Sequence, residues 1–117
     1  MAKNERAEPE LIRGAGSTAV LALLEDEERY GYQLAEDLAA TSDGFLDLGQ
    51  ATLYPLLYNL EAKGWIAARW QVASTGRRRK YYRLTATGRR HLEKSRTQWS
   101  RLVATLGRLG VLGSESR

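Results

Sequence analysis

The strongest constraint on the fold is an abrupt change of apolar period at Gly64. From Gln50 to Lys63, Leu53, Leu56, Leu57 and Leu60 recur at the i, i+3, i+4, i+7 spacing that lines one face of an α-helix. Directly after Gly64 the period becomes two: Ile66, Ala68, Trp70 and Val72 share one face of a strand, Ala67, Arg69 and Gln71 the other. Gly64 is suited to stop the helix because it adopts the left-handed conformation without a Cβ penalty. Ser74-Thr75-Gly76 supplies turn chemistry, and a second strand from Arg79 to Leu84 carries Tyr81 and Tyr82. A helix that runs straight into a hairpin is an uncommon constraint on a chain this small.

The flanking segments are helical. Leu11 to Glu25 places Ile12, Ala15, Ala19 and Leu23 on one side, with Val20 and Leu24 beside them. The run Glu25-Asp26-Glu27-Glu28 reads as a solvated connection. A second helix spans Tyr30 to Thr41, closed by Ser42-Asp43-Gly44. Thr85 has N-cap chemistry for a last helix reaching Leu109. Pro55 is awkward if the third helix starts at Gln50 and harmless if Thr52 is its N-cap, so that boundary stays open. The order helix, helix, helix, strand, strand, helix predicts a mainly α (α+β) winged helix-turn-helix. Residues 1–10 are expected as an N-terminal arm, 11–85 as the DNA-binding domain, 86–110 as a C-terminal dimerisation helix and 111–117 as a tail.

Charge is split along the chain. Residues 1–60 hold 4 Lys/Arg and 11 Asp/Glu, whereas residues 61–117 hold 14 and 3. Such asymmetry points to a polyanionic partner, unless the two halves neutralise each other in the fold. The absence of cysteine and the single His91 exclude thiolate and histidine metal clusters. No cofactor site, nucleophile–base pair or phosphate-cradling glycine loop is visible, so an enzyme is not expected. The longest apolar run, residues 19–24, is far below the ~20 residues of a membrane span. A cytoplasmic protein is the expectation.

Gly76-Arg77-Arg78-Arg79-Lys80 sets consecutive cations beside a tight turn, where little protein surrounds them and phosphate is the simplest neutraliser. On the third helix, Gln50, Thr52, Tyr54, Tyr58 and Asn59 can hydrogen-bond phosphates or base edges, and Lys63 is its only cation. Tyr32 joins these DNA-contact candidates. With no arginine on that helix, shape and hairpin contacts carry more of the specificity than guanine readout. Leu92, Trp99 and Leu106 repeat every seven residues, interleaved with Ser95, Leu102 and Leu109, and Val103 widens the stripe. With Ile12 of the first helix these residues are the expected homodimer seam, although folding back onto the chain's own first helix is an alternative. A two-fold dimer would match an inverted-repeat operator in double-stranded DNA.

The segments Tyr30-Gly31-Tyr32-Gln33-Leu34, Thr52-Leu53-Tyr54-Pro55-Leu56-Leu57-Tyr58-Asn59-Leu60-Glu61, Gly64-Trp65-Ile66 and Arg78 to Gly88 together resemble the PadR family of bacterial regulators. The resemblance runs in order from Leu11 to Leu106. It implies a winged-helix repressor that dimerises through terminal helices, sets Tyr54 and its neighbours on DNA, and is released by a small molecule or signal. The single C-terminal helix is similar to the compact subfamily, in which a tryptophan of the last helix stacks on flat aromatic ligands. Trp99 matches that position and is both a candidate effector contact and a candidate interface anchor. Two alternatives remain open: a DNA-binding regulator with no effector pocket, and a protein-interaction module that does not bind DNA.

Overall fold

Glycines and hydroxyl side chains punctuate the chain. The structure is a computed structural model and describes residues 5–112. Its elements are α1 (Pro9–Leu23), β1 (Arg29–Tyr30), α2 (Gly31–Thr41), α3 (Gln50–Ala62), β2 (Ile66–Val72), β3 (Arg78–Leu84) and α4 (Ala86–Arg108). Gly64, at φ 77°, ends α3, and the Trp65 N–H donates back to the Leu60 carbonyl at 3.1 Å. Gly110 closes α4 in the same way, with Val111 N–H donating to Leu106 O at 2.9 Å. Ser42 Oγ donates to Leu38 O at 2.7 Å and accepts from Leu46 N–H, ending α2 and turning the chain. Thr85 caps α4 by accepting from Gly88 N–H at 2.9 Å.

The core is one cluster in which α1, α2 and α3 meet the sheet and the start of α4. Val20, Leu21, Leu34, Leu53, Leu57, Leu60, Ile66 and Leu92 are its most deeply buried members, joined by Tyr82 and Leu84. Each such leucine contributes about 1.5–3 kcal/mol by leaving water. The sheet is antiparallel in the order β1-β3-β2, with Ile66 opposite Leu84 and Val72 opposite Arg78.

At several places the structure departs from the sequence reading or decides what it left open. α1 begins at Pro9, and Ala7 is buried with its N–H donating to Phe45 O, so part of the expected arm belongs to the fold. Most of the expected tail, 113–117, lies outside the described residues. β1 is a strand the sequence reading lacked: two residues, with Arg29 opposite Tyr82 and Tyr30 opposite Tyr81. α3 starts at Gln50, which leaves Pro55 inside the helix on its exposed side, where water can reach the carbonyl that loses its N–H partner. Leu92, expected on the dimer seam, is 0% exposed within the protomer's own core.

The acidic run is not merely solvated. Glu25 accepts from Arg96 at 2.5 Å and lies 3.6 Å from Arg89, tying α4 to the end of α1. The Arg96 hydrogen bond holds the Glu25 carboxyl below the ordinary carboxylate range against some desolvation, with the charges of Arg96 and Arg89 acting the same way. Glu28 pairs with Arg69 of β2 at 2.7 Å. Part of the charge split along the chain is therefore neutralised internally. The first turn of α4 is fixed by a second joint: Thr85 N–H donates to Trp65 O at 3.1 Å and Thr85 Oγ1 to Gly64 O at 2.6 Å.

Candidate nucleic-acid interface

The interface is built on three segments brought together by the helix-turn-helix and the hairpin. At the hairpin tip, Ala73 N–H donates to Arg77 O and Gly76 N–H to Ala73 O, both at 2.8 Å. Gly76 at φ 86° takes the left-handed place that a three-residue loop of this kind requires. The strands outrun the body of the domain. Only the root of β2 is covered, and Trp70 and Val72 are 56% and 62% exposed.

Between this wing, the start of α2 and one flank of α3 lies an open groove of about 620 Å³, lined by Tyr30, Gly31, Tyr32, Tyr54, Trp70, Arg77, Arg78, Arg79, Lys80 and Tyr82. Tyr54 lies across the N-terminus of α2, and a Cβ at position 31 would come within 2.7 Å of its hydroxyl. Gly31 is what allows that approach. Burial pushes the Tyr82 phenol up, opposed mainly by Lys80. Lys80 reaches Glu61 of α3 at 3.3 Å and so ties the wing to the third helix. Among the described residues Arg77, Arg78 and Arg79 have no carboxylate within ion-pair distance. A groove walled by uncompensated cations and hydroxyl-bearing rings, open along one side, has the chemistry to take a phosphate backbone.

The structure separates the residues singled out from the sequence. Tyr32, Tyr54 and Arg77 to Lys80 come together in the groove, and Gly76 shapes the tip. Thr52, Asn59 and Lys63 fall on the opposite flank of α3, in a smaller depression shared with Arg13 and Ser17 of α1. Gln50 is exposed at the start of α3, and Tyr58 stands outward between the flanks at 73% exposure. Tyr30, Gly31, Trp70 and Tyr82 are groove residues the sequence reading did not select. The tyrosines' signal was present in their sequence neighbours Tyr32 and Tyr81. Alternation puts Trp70 on the same strand face as Ile66 and says nothing of the groove.

On α4, Leu102, Val103 and Leu109 are exposed, whereas Trp99 and Leu106 are half-buried. Ile12 is half-buried and packs against the core. His91 stacks on Trp65 with ring centroids 3.5 Å apart, and burial, with Lys94 and Lys63 nearby, pushes its pKa down. No helix of the described residues is long and apolar enough to cross a membrane.

Four helices and a three-stranded antiparallel sheet whose basic β2–β3 hairpin projects define a winged-helix protein of the DNA-binding class. The model of the PadR-like transcriptional regulator family matches residues 20–94, and the chain belongs to that family. It is 36% identical to a PadR family transcriptional regulator from Eggerthella lenta, with a TM-score of 0.77 over 89% of this chain and 88% of that one. A transcriptional regulator from Clostridium thermocellum superposes with a TM-score of 0.78 at 27% identity, over 85% and 96% of the two chains. A Lysinibacillus sphaericus protein described as uncharacterized is 32% identical over 91 residues, 78% of this chain and 84% of that protein. Membership in this family makes DNA-binding transcription regulation the coarse function of the chain.

Proposed function

We propose that the chain acts as a homodimeric repressor that reads an inverted-repeat operator and leaves it when a small planar aromatic effector binds. The observation that carries the DNA-contact part is the wing, whose three consecutive arginines face an open groove with no carboxylate beside them among the described residues. Arg77, Arg78, Arg79 and Lys80 take phosphates, Tyr54 and Tyr32 orient on the backbone beside α2, and Gln50 and Tyr58 reach into the major groove. Thr52, Asn59 and Lys63 serve the other side of the third helix.

Dimerisation is supported by the outer half of α4, where Leu102, Val103 and Leu109 present an apolar strip that the protomer itself leaves open. Trp99 and Leu106 border that strip on the same helix, and half-buried Ile12 of α1 is the remaining residue of the proposed seam. Trp99, half-buried midway along α4, is the ring on which a flat effector would stack. Repression and release are what the family resemblance implies, and a bacterial cytoplasmic location alongside the operator belongs to the same reading.

Selection of bound duplexes from a random pool tests the reading. Inverted repeats with half-site centres about 34–36 Å apart, or a multiple of that, are the expected product. Planar aromatic compounds should reduce their recovery. Recovery unaffected by such compounds would favour a regulator without an effector pocket, and no enrichment at all would refute sequence-specific binding.

A further inference from the structure

The arginines of this protein are held in two different ways. Those that brace the fold sit on acids: Arg29 on Asp37 at 2.7 Å, Arg69 on Glu28 at 2.7 Å with the Tyr81 ring centroid also 5.1 Å away, and Arg96 on Glu25 at 2.5 Å. Two on the wing sit on rings instead. The Arg78 guanidinium lies 4.5 Å from the centroid of Trp70, and that of Arg79 lies 4.5 Å from the centroid of Tyr30. Register explains the first pair: Val72 is opposite Arg78 and Trp70 opposite Lys80, so Trp70 and Arg78 are diagonal neighbours across the hairpin. Tyr30 is set by β1, where it stands opposite Tyr81 and meets its ring edge-on at 5.4 Å.

The chemical difference matters for a polyanion. A carboxylate orders a guanidinium but cancels its charge, and phosphate must then compete for it. An aromatic face orders the same group and leaves the charge intact. Ordering a long side chain before binding removes part of the entropy that association would otherwise lose. We infer that Trp70 and Tyr30 are positioning residues for DNA binding, which hold Arg78 and Arg79 extended over the groove with their full charge available. The inference rests on the DNA-binding reading of the wing. It also accounts for a tryptophan left 56% exposed on the outer part of β2, where the strand is exposed through to its end.

A double-mutant cycle on the full chain tests it, using fluorescence anisotropy with a labelled mixed-sequence duplex between about 50 and 200 mM salt. Trp70→Leu should weaken binding about two- to fivefold, and Trp70→Phe should restore most of the loss. The salt slope should stay that of the wild type, because no phosphate contact is removed. Arg78→Ala should flatten the slope by about 0.9 for each wing engaged. In the Arg78→Ala background, Trp70→Leu should have no further effect. An equal loss in both backgrounds would show that Trp70 touches DNA itself and would overturn the inference, as would an unchanged affinity or an altered slope in Trp70→Leu. Failure of the wild type to bind the duplex would instead refute the DNA-binding reading. In the free protein, the ring-current shift of the Arg78 Nε–H should disappear in Trp70→Leu; an unchanged shift would refute the pairing.

Discussion

Two helical glycines of this protein should respond to alanine in opposite directions. Gly88, in the first turn of α4, passes over the α3–β2 junction so closely that a Cβ there would lie 1.9 Å from the Trp65 carbonyl oxygen and 2.9 Å from Leu84 Cδ1. The nearest obstacle is backbone, so relief requires the helix start to lift by about 1 Å or more to reach an ordinary contact. That movement breaks the Thr85 N–H bond to the same carbonyl and loosens the Thr85 cap, each worth about 1 kcal/mol. Residual overpacking adds about 1–3 kcal/mol, and the better helix propensity of alanine returns about 1 kcal/mol. Gly88→Ala should therefore destabilise by about 3 kcal/mol, or roughly 12 °C in Tm for a chain of this size. Gly14 lies within α1 with nothing inside 4 Å of an added Cβ. Gly14→Ala should raise stability by about 0.8–1 kcal/mol. Urea unfolding at matched protein concentration measures both, since the proposed dimerisation would make stability depend on concentration. A Gly88→Ala variant within about 1 kcal/mol of wild type would refute the packing argument.

Glu25→Gln should lower Tm at neutral pH, and the gap to wild type should close in acid. The folded-state pKa of Glu25 is depressed, so its contribution is complete above the ordinary value of 4.5 and is lost as pH falls through the folded value; a gap that does not narrow would refute the pairing with Arg96. Leu102→Glu leaves the protomer core untouched, because Leu102 is 44% exposed, and should convert dimer to monomer in sedimentation velocity. An intact dimer would move the interface elsewhere. If Trp99 is the effector platform, planar aromatic compounds should quench tryptophan fluorescence in the wild type and not in Trp99→Phe, and unchanged quenching would remove it from that role.

The local features were readable and the tertiary ones less so. Gly64, the leucine face of α3 and the Thr85 cap act within one turn of chain, and each appears where the sequence puts it, to within a residue or two. Alternation at Trp70 records only which strand face a residue takes, whereas burial depends on how far the body of the domain extends beneath the hairpin. β1 is two residues long and has no periodicity to read; its existence depends on β3 running alongside. The heptad groups Leu92 with Trp99 and Leu106, but burial divides that stripe. Leu92 enters the chain's own core, Trp99 and Leu106 are half-buried, and Leu102, Val103 and Leu109 are exposed. The acidic turn looked solvated because the arginines that tie Glu25 and Glu28 to distant elements, Arg69, Arg89 and Arg96, lie at least 41 residues further along the chain.

DNA binding by this chain, as proposed, turns on the wing arginines meeting phosphate. The most direct measurement is the salt dependence of duplex binding for the wild type and for the triple variant Arg77→Ala, Arg78→Ala, Arg79→Ala. Neutralising three phosphate contacts should flatten the slope of log K against log salt by about 2.7 for each wing engaged, and weaken binding to all sequences alike. A triple variant with the wild-type slope would contradict the account, because the arginines would then not lie on the DNA backbone.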